Sequence, residues 1–351
     1  MKKGIKLAAF WLRLVSFVLV LTVLMVCTLY VLVPKHDYGI CPLTTYYTQP
    51  EDSVDVLVLG TSLGYAGVNG NILFEEYGIA TYSLCTAEQS YWLSYHYLEE
   101  ALKTQTPKLI LLDAKASMYT SDYTTLNRTV QATMAIRDLD VRLRAIRACV
   151  AEEDFLSIAL GFPQLHSQYR ALDENSFVFP PNNGGRGPNW KGYIEYEKTD
   201  PKEKPSLVWT STKKPMNARQ EEWFRKLLEL AAEHEVPVLI VGFPCPDYAN
   251  DHMYYNSLWA IADEYGVAHI NYNDPDLRLR MLYSSDFADW QHMNVKGSAT
   301  FSRRLGSDLK EMYDLPDRRG DETYITWQLC ADEWFEKYPD YKLSENKEEA
   351  V

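Results

Sequence analysis

Leu14–Val33 is a run of twenty residues without a charge, a proline or a glycine. Coiled as an α-helix at about 1.5 Å per residue, it matches the roughly 30 Å hydrocarbon core of a bilayer. Lys2, Lys3, Lys6 and Arg13 precede or open the run and no acid does. The positive-inside rule therefore puts 1–13 in the cytoplasm and 34–351 outside. A cleaved signal peptide is the rival reading. The run is long for one, no small-x-small site precedes Pro34, and Val26 stands where a lipobox at Cys27 needs a small residue. The expectation is a single-pass cell-membrane protein whose anchor, 14–33, is retained.

Charge narrows what the exported part can bind. The whole chain carries −13, and its first 33 residues carry +4, which leaves −17 outside the membrane. Nucleic acid is excluded as a partner, because binding it needs basic surface to displace counterions. Anionic headgroups also repel so acidic a domain, so the membrane is held as a partner through the anchor. Of the six cysteines, Cys27 lies in the span, and Cys41, Cys85, Cys149, Cys245 and Cys330 form an odd set with no Cys-x-x-Cys. Neither a disulfide framework nor a zinc site can be read from them. His36, His96, His166, His234, His252 and His269 show no metal-binding spacing either.

After a proline-bearing tether at 34–53, strand and helix patterns alternate. Val54–Leu59, Ala80–Leu84 and Lys108–Asp113 read as strands, with helices over Asn71–Tyr77 and Ser90–Lys103 between them. A second set follows from Asn217: a helix to His234 with Trp223, Leu227 and Leu230 inward, a strand at Val236–Val241, a helix at Tyr255–Tyr265 and a strand at Val267–Ile270. Asn294 caps a last helix to Tyr313. The expected fold is a doubly wound α/β sheet over 54–316, followed by an acidic tail at 317–351. Residues 114–216 interrupt it. They hold a helix at Val141–Ala151 and a Gly/Pro-rich loop at 179–188. An insertion this long is expected to cap the sheet's carboxyl edge, where Trp190 and Tyr193 would meet an acceptor.

Two short motifs carry chemistry. Gly60-Thr61-Ser62-Leu63-Gly64 leaves the first strand at its carboxyl end, where open α/β sheets bind ligands. Such a turn can expose the Ser62 hydroxyl and aim backbone N–H groups at one point. It can equally be an ordinary strand-to-helix turn. Asp289-Trp290-Gln291-His292 precedes the last helix. A serine needs a base, and a histidine base needs a carboxylate to fix its tautomer. His292 and Asp289 offer both on one loop, with Asp286 as the alternative acid. Asp55 reads as an edge or packing feature, and Cys85 as a small buried hydrophobe rather than a nucleophile.

A Gly-x-Ser turn after the first strand and Asp-x-x-His before the last helix resemble the SGNH/GDSL hydrolases. The pattern is most similar to their membrane-anchored branch, which includes the lipoteichoic-acid D-alanylation and alginate O-acetylation proteins. The resemblance covers 54–114 and 218–314. It implies an SGNH/flavodoxin-like sheet and serine-dependent acyl transfer or ester hydrolysis on a cell-envelope glycan or wall polymer. Ser62 would be the nucleophile, His292 the base and Asp289 its orienting acid, with no cofactor. It also implies a membrane-bound O-acyltransferase as partner. Two departures stand out. No glycine occurs in Ser83–Gln89, and Asp113-Ala114-Lys115-Ala116 replaces the family's Gly-x-Asn-Asp, so the usual oxyanion asparagine is missing. The N–H of Ser62 and a group at Ala87 or Gln89 are the substitutes. These losses also fit a non-catalytic accessory protein of a polysaccharide O-acylation complex.

Overall fold

The computed structural model describes residues 2–33, 40–177, 190–204, 209–246 and 252–343; the 179–188 loop falls outside them. Five parallel strands form one sheet: β1 (Val56–Gly60), β2 (Thr81–Cys85), β3 (Leu109–Asp113), β4 (Val238–Gly242) and β5 (Ala268–Asn271). Their order is β2-β1-β3-β4-β5, the doubly wound, flavodoxin-like arrangement. β1 through β4 are buried at every position, as a parallel sheet covered on both faces requires. Alternate residues serve opposite cores. Leu57, Leu59, Ile110, Leu112 and Ile240 face one, and Val56, Val58, Leu109, Leu111 and Val241 face the other.

The helices in chain order are α1 (Lys2–Leu32), α2 (Ile40–Tyr46), α3 (Ser62–Gly67), α4 (Gly70–Tyr77), α5 (Tyr91–Ala101), α6 (Leu126–Thr133), α7 (Leu139–Cys149), α8 (Glu152–Leu160), α9 (Phe162–Leu165), α10 (Ala218–Glu233), α11 (His252–Glu264), α12 (Val295–Met312) and α13 (Ile325–Lys337). Helices α5, α10 and α11 build the first core with β1's Leu57 and Leu59. Helices α3 and α12 build the second, through Leu63, Ala66, Phe301 and Leu305. In α10 the buried apolar residues are Phe224, Leu227, Leu228 and Ala231, while Trp223 and Leu230 flank the seam. The expected face is therefore rotated by about one residue, because Phe224 packs on Tyr91 of α5 at 5.0 Å.

Two segments are more structured than their composition suggests. Over its described part, 40–53, the expected tether is built into the domain. Leu43 and Tyr46 of α2 are buried, and the Tyr46 hydroxyl donates to Ala101 O at 3.2 Å. The expected tail folds as well. Helix α13 packs on α4 and buries Trp327, Trp334 and Phe335. Ahead of it, Arg318 clasps Asp55 with two hydrogen bonds of 2.8 Å. Asp55 is 3% exposed, so this partner is what lets a charge sit at the foot of β1.

The inserted residues divide between the two sides. Helix α7 lies on α5 and adds Val141, Ala145, Ile146 and Cys149 to the first core. Residues 190–193 lie along β2 instead. Ser83 N donates to Lys191 O at 2.9 Å, and Gly192 (φ +84°) approaches so closely that a Cβ would stand 2.0 Å from Ser83 O. The Lys191 ammonium, its pKa lowered by burial to about 8, donates to Gln49 Oε1 (2.7 Å) and Thr326 Oγ1 (2.9 Å). It thereby joins the chain's two outer segments.

Removing Arg318 should strand the buried Asp55 charge. Arg318→Ala is expected to cost roughly 3–5 kcal/mol, the range for breaking one side of a buried ion pair, whereas Asp55→Asn combined with Arg318→Met should cost less. Urea unfolding midpoints would check the order; equal losses would contradict it.

Candidate active site

Ser62 opens α3 directly after β1, and three hydrogen bonds to one carboxylate shape its turn. Asp113 ends the neighbouring strand β3 and is fully buried. Its Oδ2 accepts the Thr61 N–H at 3.0 Å and the Thr61 hydroxyl, and its Oδ1 accepts Lys115 N–H at 2.8 Å. Burial raises the Asp113 pKa, and the Thr61 and Lys115 bonds work against that rise. Gly60 makes the approach possible. It takes φ +151°, and a Cβ there would lie 2.2 Å from Asp113 Cβ. Thr61 then caps α3 by accepting from Leu63 N at 3.2 Å, which leaves Ser62 at the helix's first position.

The histidine comes from a loop pinned at both ends. Phe287 and Met293 form an antiparallel bridge, Ala288 N donates to His292 O at 2.9 Å, and the Asn294 side chain caps α12 at Gly297 N (3.0 Å). Within it, Asp289 Oδ1 accepts the N–H of Gln291 (2.7 Å) and His292 (2.8 Å), and Oδ2 meets His292 Nδ1 at 2.7 Å. Burial alone would raise the Asp289 pKa. The bonds from the His292 ring and the two N–H groups outweigh it and hold the carboxyl below its usual range. An ionised carboxylate only accepts, so His292 carries its proton on Nδ1 and offers Nε2 as acceptor. Ser62 Oγ lies 2.7 Å from that Nε2, so its hydroxyl donates to it. Ser62 and His292 are 230 positions apart and meet because both stand on the carboxyl edge of the sheet. Asp286 faces elsewhere: it accepts from Leu282 N, Ser285 Oγ and the Lys296 ammonium.

Two tyrosines that carried no sequence signal lie against the base. Tyr196 stacks on His292 with ring centroids 5.0 Å apart and planes 8° from parallel. Tyr65 of α3 lies at 6.4 Å and 4°. Tyr196 is held by its carbonyl, which accepts Val295 N–H at 3.0 Å. It belongs to the inserted segment 190–204, so the insertion does reach the site, though not through the residues expected to. Trp190 and Tyr193 are buried against Ile72, Ala299 and Trp334 and cannot meet an acceptor there.

The oxyanion candidates separate by their partners. Gln89 is fully buried, and its amide is committed to Leu84 O (3.3 Å), Ser94 Oγ (3.0 Å) and Thr86 Oγ1 (3.1 Å), which removes its side chain as a donor. The N–H groups of Ser62 and of half-buried Ala87 meet no acceptor among the described residues. Cys85 is no nucleophile: burial pushes its thiol pKa well up, and Gly64 lies against its sulfur. A cleft of about 430 Å³ opens over the ends of β2 and β3, lined among others by Glu88, Ser90, Tyr119 and Tyr123; of the Asp289–His292 loop it touches Gln291, and neither Ser62 nor His292 lines it.

A doubly wound sheet with a serine after β1 and a hydrogen-bonded Asp-x-x-His before α12 is the layout of an SGNH-hydrolase-like fold. No known family model matches the sequence, and no curated protein matches it. Among solved structures, a Bacteroides fragilis protein assigned as an acylhydrolase aligns with 76% of this chain and 93% of its own, at a TM-score of 0.38 and 10% identity. A gut microbial diltiazem-metabolizing enzyme aligns with 73% of this chain and 47% of its own, at a TM-score of 0.34 and 10% identity. Likenesses this loose carry neither a family nor an activity over to the chain.

Stacking on a ring that becomes cationic should speed proton removal from Ser62. Tyr196→Phe is expected to keep the rate of labelling by a serine-reactive phosphonate within about twofold. Tyr196→Ala should lower it about tenfold, the kinetic equivalent of the upper part of the ~0.5–1.5 kcal/mol such ring pairs contribute. An unchanged rate in the alanine variant would mean the stack is only packing.

Proposed function

We propose that the chain is an extracytoplasmic, serine-dependent acyl transferase or esterase acting on a cell-envelope glycan or wall polymer. The observation that carries this reading is the continuous relay of 2.7 Å contacts from Ser62 Oγ through His292 to Asp289. In the first step Ser62 Oγ bonds to the acyl carbonyl carbon and its proton moves to His292 Nε2. The Asp289 carboxylate stabilises the resulting imidazolium. The carbonyl oxygen becomes an oxyanion facing the N–H groups of Ser62 and Ala87. The ester's C–O bond then breaks, and the departing alcohol takes the proton from His292. In the second step a sugar hydroxyl or water loses its proton to His292 and attacks the acyl-serine; the acyl–Oγ bond then breaks, Ser62 Oγ takes the proton back from His292, and the acylated sugar or the free acid leaves. The cleft that reaches the histidine loop at Gln291 suits a sugar acceptor, since it combines tyrosine faces with hydroxyls, the amides of Gln220 and Gln291 and the Glu88 carboxylate.

Two features support a retained anchor over a cleaved signal. Helix α1 leaves its apolar residues from Leu7 to Val26 exposed, while Leu32 enters the first core and Leu29 and the following Val33 pack against it. Cleavage would remove part of that core. The resemblance to anchored O-acylation proteins adds a membrane-bound O-acyltransferase as the partner that delivers the acyl group. The second reading is a non-catalytic accessory protein of such a complex. It is favoured by the commitment of the Gln89 amide to the fold and by Asp113 standing in the family's Gly-x-Asn-Asp segment.

A serine-reactive phosphonate should label the wild-type protein and fail to label Ser62→Ala, while His292→Ala labels at least 100-fold more slowly, the low end of what a positioned general base contributes. Labelling that survives in Ser62→Ala places the nucleophile elsewhere; an unlabelled wild type favours the accessory reading. Separately, a reporter active only outside the cytoplasm, fused after Val351, should give signal. Silence there, with signal from a cytoplasmic reporter, would overturn the orientation.

A further inference from the structure

The surface around the exit of α1 is unlike the rest of the domain. Outside α1, five of the large apolar side chains that stand exposed fall within one short stretch: Leu156, Leu160, Tyr169, Leu172 and Phe177. Leu156 and Phe177 are each 64% exposed. The 3₁₀ turn His166–Ala171 buries none of its residues. A soluble surface does not keep so many large apolar groups in one stretch without a covering partner.

That stretch is also what lies against the apolar helix. Helix α9 and the turns His166–Ala171 and Glu174–Phe177 all pack beside α1. Gly161, next to Leu160, sits so that a Cβ would be 3.7 Å from Leu29. From Lys6 to Thr28, α1 is exposed throughout. The exposed apolar groups of 156–177 therefore ring the level at which α1 leaves the domain, continuous with the surface that enters lipid.

We propose that residues 156–177 form a collar that lies in the outer face of the same bilayer that α1 spans; this rests on α1 being a retained span. Leu156, Leu160, Leu172 and Phe177 occupy the headgroup–acyl boundary. The Tyr169 ring, with the Arg170 guanidinium bonded to its hydroxyl at 3.0 Å, sits at headgroup level, where amphipathic aromatic and basic side chains are stable. Glu152, Glu153 and Asp154 open α8 at the end away from Gly161 and so stand off the lipid. Asp173 and Glu174 lie within the stretch, Asp173 accepting from the Ser176 N–H and hydroxyl, so the lipid contact is confined to the apolar groups Leu156, Leu160, Leu172 and Phe177, which let a domain of charge −17 rest on a membrane without a basic patch.

The test uses the full-length chain in phosphatidylcholine–phosphatidylglycerol nanodiscs, some carrying lipids with a nitroxide near the top of the acyl chain. One protein bears a bimane label on the native Cys27, which is exposed on α1. In a Cys27→Ser, Cys41→Ser background, Leu160→Cys, Phe177→Cys and Leu329→Cys are labelled in turn; Leu329 is exposed on α13. Unfolding midpoints matching the parent show that each labelled chain is folded. The collar predicts nitroxide quenching at 27, 160 and 177 at least threefold above that at 329. Quenching at 27 with 160 and 177 no different from 329 overturns the collar and leaves the span standing. Absence of quenching at 27 as well overturns the span, and the collar with it.

Discussion

Asp113 fastens the turn that carries Ser62, and the rest of the site depends on that bond set. The carboxylate ends β3, and all it holds belongs to β1's exit or to its own: Thr61 by N–H and hydroxyl, and Lys115 by N–H. β1 and β3 flank the point where the strand order reverses, so a buried acid there ties the two halves of the sheet together at the edge that carries Ser62 and His292. Losing it would leave two buried N–H groups and a hydroxyl without a partner, at about 1–3 kcal/mol for each such group. It would also free the backbone that aims the Ser62 hydroxyl at His292. The same bond explains Gly60, since any side chain there would collide with Asp113.

The framework was legible because it is written locally. Val54–Leu59, Lys108–Asp113 and Val236–Val241 are apolar runs closed by Gly or Asp, and a buried parallel strand leaves just that trace. Spacing proposed the Ser62, His292 and Asp289 set, because Asp289 and His292 share one loop and strand order carries Ser62 to the same edge, but it left an ordinary turn at Ser62 and Asp286 as the acid open, and the resemblance to SGNH/GDSL hydrolases weighted the choice. Strand ends shifted by one or two residues, as at Val56–Gly60, because pairing with β2 and β3 sets them.

What stayed hidden depends on contacts between distant positions. Tyr196 and Tyr65 are two among twenty-five tyrosines, and only the return path of 190–204 shows that one of them covers the histidine. Asp113 read as a missing oxyanion asparagine, whereas its carboxylate is a fastening. The tether read as proline-bearing chain and the tail as acidic chain; Leu43 and Tyr46 are too few to announce a core, whereas Trp327, Cys330, Ala331, Trp334 and Phe335 fall at helical spacing, a stripe that the surrounding charge masked. Helix α10 was placed correctly but turned, since the choice between Trp223 and Phe224 as the inward aromatic is made by α5.

β2 is an outer strand, and unpaired outer strands invite pairing with other chains. Here residues 190–193 close it, through the Ser83–Lys191 bond and a glycine packed onto Ser83 O. That guard lies far downstream of the strand it covers. During synthesis β2 is complete long before Lys191 emerges, and Lys191 in turn waits for Thr326. This edge of the sheet therefore stays open until more than half the chain has been made, and synthesis of the insertion rather than of the strand sets when it closes. A nascent chain that stalls between 85 and 190 exposes an adhesive margin, which makes this stretch the interval in which the protein most needs a chaperone.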